Sequence, residues 1–223
     1  MKIQKVLLTG VCALTLGGTA LAQAPAPMQG TPQAQAGKAS LDQIQGWSAD
    51  SKKAARAMLD KYGPPNETTA SMWVWHNNGP WKRTIVYSEA VDHRFPMPHK
   101  DVLEQVIDYK VPTDKYDELA KYDGSVIVER TKGEISARCD KEGLNFLAVN
   151  LANDVATGKR DVDDARKFYG KTAMDFKQGK QPQYTRGLAF NVQKGGTADP
   201  DKPLEGMPAD QGMGGSGEPM KEE

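Results

Sequence analysis

The chain has 223 residues, with 29 basic and 29 acidic side chains and three histidines. Balanced charge without a basic stripe leaves no electrostatic footprint for nucleic acid, and no segment after the N-terminal run is apolar enough to span a membrane. Only one of its two cysteines, Cys139, lies in the body of the chain, which excludes a disulfide-stapled scaffold.

Lys2 and Lys5 precede a mostly apolar run from Val6 to Leu16, and Ala20-Leu21-Ala22 places small residues at the spacing of a cleavage site. This is the three-part pattern of a bacterial-type secretory signal peptide over residues 1–22. The expected location is periplasmic or secreted, with no transmembrane anchor after cleavage. Residues 23–39, rich in Ala, Pro and Gln, read as a flexible linker. Residues 40–193 suit a single domain. Residues 194–223 are Gly- and Pro-rich and acidic, carry Met207, Met213 and Met220, and read as a disordered tail.

Within the domain, Ser40 starts a short turn through a capping box. Ser48 caps a helix whose inward face is Ala54, Ala55, Met58, Leu59 and Tyr62, and Gly63-Pro64-Pro65 stops it. Residues 71–76 and 81–87 then read as a hairpin around Asn77-Asn78-Gly79-Pro80. A four-residue loop sets His76 opposite Trp81. One face then carries Met72, Val74, His76, Trp81, Arg83, Ile85 and Tyr87, and the other Trp73, Trp75, Lys82, Thr84 and Val86. Residues 89–98 read as an irregular link. Val102, Leu103, Val106 and Ile107 predict a helix over 99–109, with a strand over 102–111 as the alternative. Thr113 caps a short helix through Leu119. Residues 125–131 and 134–139 form a second hairpin, with Val128 opposite Ala137 and Val126 opposite Cys139. Asp140 caps a helix carrying Leu144, Leu147, Leu151 and Val155 inward, and Asp161 caps another with Ala165, Phe168, Tyr169 and Ala173. The expected class is α+β: an antiparallel sheet of about four strands, from two hairpins, with helices packed on one face.

Chemistry concentrates in His93-Arg94-Phe95-Pro96-Met97-Pro98-His99. Two imidazoles and a thioether in a proline-stiffened loop suit copper, especially the reduced ion. His76 is a further candidate ligand beside His93, Met97 and His99. Imidazole binds metal only when neutral, so affinity is expected to fall as pH drops through about 6.5. The bland alternative has His99 starting a helix and Met97 filling the core. A second candidate is a ligand surface of Trp73, Trp75, Trp81 and Arg83, suited to stacking on a glycan or peptide; strand tryptophans also suit a core. Cys139 beside a histidine is a possible nucleophile pair, but its apolar strand face argues for a buried, inert thiol. No nucleophile elbow, phosphate loop, zinc-protease helix or haem-attachment sequence occurs, so no cofactor is identified. The resulting expectation is an exported soluble domain with a non-enzymatic binding or structural role towards a protein, peptide or glycan of the cell envelope. A copper-binding protein is the first alternative, and an enzyme with a polar site of unfamiliar pattern the second.

Overall fold

The computed structural model describes residues 41–193 and 195–206. The expected signal peptide, the linker, Ser40 and the tail methionines lie outside them. Among the described residues, six antiparallel strands form one sheet in the order β1-β2-β3-β4-β6-β5. They are β1 (Glu67–Thr68), β2 (Met72–Asn78), β3 (Trp81–His93), β4 (His99–Asp108), β5 (Val126–Glu129) and β6 (Glu134–Cys139). Four helices accompany them: α1 (Ala49–Tyr62), α2 (Tyr116–Tyr122), α3 (Glu142–Ala156) and α4 (Val162–Lys177). The α+β class stands, with six strands in place of about four.

The helix starts follow local chemistry. The Ser48 hydroxyl accepts from the Ser51 N–H at 3.0 Å and opens α1. The Asp161 carboxylate accepts from the Asp164 N–H at 2.7 Å and opens α4. The start of α3 differs from expectation. Lys141, not Asp140, occupies the cap position, and it supplies no side-chain cap. Gly63 ends α1 at φ 77°, a left-handed conformation that glycine adopts without strain.

The largest correction is β4. The segment expected as a helix over 99–109 is an inner strand, paired with β3 on one side and β6 on the other. Residues 101–107 are buried on both faces of the sheet. A doubly covered strand shows no alternation of apolar and polar residues, so its pattern does not separate it from a buried helix. The strand alternative over 102–111 covers most of it. Strand β3 also runs to His93, through a register shift between Val86 and Val91, where an irregular link was expected.

The first hairpin is shifted from its expected register. Asn78 pairs with Trp81, and His76 with Arg83. The turn is therefore Gly79-Pro80. Gly79 has φ 63°, as the first position of a type II′ turn requires, and the fixed φ of Pro80 suits the second. The closing N–H comes from Trp81, so the N–H that Pro80 lacks is not needed. In the second hairpin Val128 pairs with Ile135 and Val126 with Ala137. That is a shift of two residues from expectation, which leaves every side chain on its predicted face.

Helices α1 and α3 cover the same face of the sheet. Lys61 and Tyr62 at the end of α1 meet Glu142 at the start of α3, over Trp81 and Gln105 of the sheet. One apolar cluster joins α1 to Trp73, Trp75, Val86, Val102 and Leu103. A second joins α2, α3 and α4 to Trp81, Ile107, Ile135 and Ala137. Each large side chain sealed in these layers contributes roughly 1.5–3 kcal/mol. The helices thus press on the middle of the sheet, while β3 and β4 continue to an end where polar groups collect.

Candidate metal centre

That end is built by register. His93, the last residue of β3, stands opposite His99, the first residue of β4. Their ring centroids lie 4.8 Å apart. Asp101 lies two residues beyond His99 on β4 and so shares its face. Ligand atoms of His93, His99 and Asp101 all lie within 4.8 Å of one another. Around a first-row ion with bonds of about 2.1 Å, donors sit roughly 3–4 Å apart, so a contraction of about 1 Å closes the set.

The supporting contacts orient each donor. The Nδ1–H of His99 donates to the Met97 carbonyl at 2.9 Å, which turns Nε2 towards Asp101. His99 Nε2 and Asp101 Oδ1 are 3.1 Å apart, but they are not aligned for a hydrogen bond. Both atoms are buried without a hydrogen-bond partner. The other oxygen, Oδ2, accepts from the Ser125 hydroxyl. His93 Nδ1 lies 3.2 Å from that hydroxyl, and His93 Nε2 lies 3.5 Å from Asp123. Cys139, at the end of β6, is buried beside His99 and lies 3.6 Å from Asp140 Oδ1.

The charges follow from this crowding. Burial disfavours an imidazolium at His99, but the neighbouring Asp101 carboxylate outweighs it and raises the pKa above its usual 6.5. Burial also pushes the Asp101 carboxyl up, yet His93, His99 and Ser125 together lower it to about 2. Asp123 is raised, first by burial. Burial likewise pushes the Cys139 thiol up, away from the thiolate that nucleophilic chemistry requires.

The structure brings together two of the four sequence-predicted ligands, His93 and His99. Met97 contributes its carbonyl to His99; its sulfur faces the Lys177 ammonium at 3.9 Å. His76 pairs with Glu67 and stands opposite Arg83, at the other end of β3 from His93. The proposed aromatic surface does not assemble. Trp73, Trp75 and Trp81 are at most 2 % exposed, because all three face the helix layer. Trp75 donates to the Gly63 carbonyl and Trp81 to Glu142, and Trp81 stacks on Phe146. Arg83 is ion-paired with Glu134. Sequence reasoning missed Asp101, Ser125 and Asp123. The signal for Asp101 was its spacing of two from His99, which places both on one face of a strand but far apart around a helix.

No protein-family model, curated protein or solved structure matches this chain.

Proposed function

We propose that this chain is an exported binding protein that holds a divalent first-row transition ion on His93, His99 and Asp101. The observation that carries the reading is the buried pair His99 Nε2 and Asp101 Oδ1, 3.1 Å apart beside His93 and without a hydrogen bond to either atom. Two imidazoles and one carboxylate form a borderline-to-hard donor set. It suits Cu²⁺ or Zn²⁺ better than the reduced copper that a thioether would favour. Three protein donors also leave a position open for water or an exogenous ligand.

In the metal-free site the proton on His99 offsets the Asp101 charge. An incoming ion displaces that proton and takes its place. That proton must leave before Nε2 can bind, so uptake is expected to weaken as pH falls. Calorimetric titration of the metal-free protein with Zn²⁺ and Cu²⁺ tests the reading. One ion per chain, lost in Asp101→Ala and His99→Ala, is the expected result. No uptake by the parent, or equal uptake by both variants, overturns it.

A further inference from the structure

We infer that the cavity between Pro96–Pro98 and the start of α3 binds a small organic carboxylate with an apolar body of about seven carbons. The cavity has a volume of about 300 Å³. It borders the proposed metal centre through His99, but the inference does not rest on a bound ion.

Its walls divide by chemistry. Met97, Leu144, Ala173 and Phe176 supply an apolar lining from the turn, α3 and α4. Lys141 and Lys177 stand among the same lining residues. Asp140 is the single acid there, and the Lys141 ammonium already pairs with it. Lys177 has no carboxylate partner among the described residues. Its ammonium rests 3.9 Å from the Met97 sulfur, a weak acceptor that leaves its charge available.

Size and charge together select the guest. At about 30 Å³ per water-sized group, the volume holds about ten heavy atoms, the number in octanoate. An inorganic anion leaves the apolar walls wet, and a neutral hydrocarbon leaves Lys177 unused. A chain carboxylate satisfies both.

The test is calorimetric titration of the full chain after EDTA treatment, with sodium octanoate, sodium acetate and 1-octanol as probes. The outcome is thereby independent of the metal reading. Octanoate is expected to bind one per chain, at least tenfold more tightly than acetate. Lys177→Met is expected to weaken octanoate by up to about fivefold, as for a solvent-exposed charge pair, and to leave 1-octanol unchanged. Ala173→Phe fills the cavity and is expected to abolish binding. If near-ultraviolet circular dichroism shows that this variant does not fold, Leu144→Trp closes the cavity from α3. Absence of octanoate binding, acetate binding as tight as octanoate, or full binding by the folded filled variant each overturns the proposal.

Discussion

His93 stands directly across the β3–β4 ladder from His99, with the two rings 4.8 Å apart. The pairing is a property of strand register, so the ligand geometry depends on the ladder and not on the sulfur of the intervening loop. Met97→Leu is accordingly expected to leave Zn²⁺ and Cu²⁺ affinity within about twofold, since Leu and Met are close in volume. Ser125→Ala removes the hydroxyl that orients Asp101 and is expected to weaken both ions by about tenfold or more. Isothermal titration of the two variants checks this pair. A large loss in Met97→Leu would restore the thioether to the ligand set.

Glu142 joins α1, β3, β4 and α3 in one contact. It accepts from Tyr62 at 2.5 Å, Trp81 at 2.8 Å and Gln105 at 3.2 Å, and pairs with Lys61. Burial alone raises its carboxyl, but the hydrogen bonds from Lys61, Tyr62 and Trp81 outweigh it, and the net shift is downward from 4.5. A carboxyl depressed by folding stabilises the native state above its unfolded pKa, and that contribution disappears as pH falls through the folded value. Thermal stability is therefore expected to decline below about pH 4.5. Glu142→Gln should flatten that decline, and Glu142→Leu should cost about 1–3 kcal/mol at pH 7 by leaving the buried Trp81 N–H and Gln105 amide without their acceptor. Denaturant unfolding across pH 3–7 measures both.

Gly133 has φ 66°, and a Cβ there would stand 2.1 Å from the backbone of Thr197. Thr197 is buried, and the Asp199 N–H donates to the Arg130 carbonyl at 3.2 Å. Gly133→Ala is expected to displace this segment and to destabilise the domain by about 1–3 kcal/mol. Limited proteolysis should then cut near residues 196–201 faster than in the parent. Unchanged cleavage and stability would mean that the segment does not dock on the β5–β6 turn in solution.

Cys139 is 1 % exposed, and burial raises its thiol pKa. A thiol reagent is expected to modify it slowly in native protein and rapidly in denaturant. Cys139→Ser is expected to cost about 1–3 kcal/mol where the hydroxyl lacks a partner. Fast native labelling would return the cysteine to consideration as a reactive group.

The helices were legible because caps and stripes are local. Ser48 with Ala54, Ala55 and Met58, and Asp161 with Ala165 and Ala173, announced α1 and α4 before any contact was known. The inner strand was not legible, since Val102, Leu103, Val106 and Ile107 face cover on both sides of the sheet. That single ambiguity hid a third of the candidate site. With 99–109 read as a helix, Asp101 points away from His99; with the same residues in β4, the two align. Ser125 and Asp123 reach the site only through the neighbouring β6 and β5, a long-range placement that no local spacing encodes. The histidine pair was visible because its residues are close in sequence as well as in space.

That closeness bears on how an ion would act on folding. All three donors lie between residues 93 and 101, so an unfolded chain still holds them within reach of one ion. A ligand that also binds the unfolded state stabilises the native one by less than its native affinity implies. Loading the site with Zn²⁺ should therefore raise the melting temperature by less than the measured dissociation constant predicts, and the shortfall would report how much of the chelate the hairpin forms without the rest of the domain.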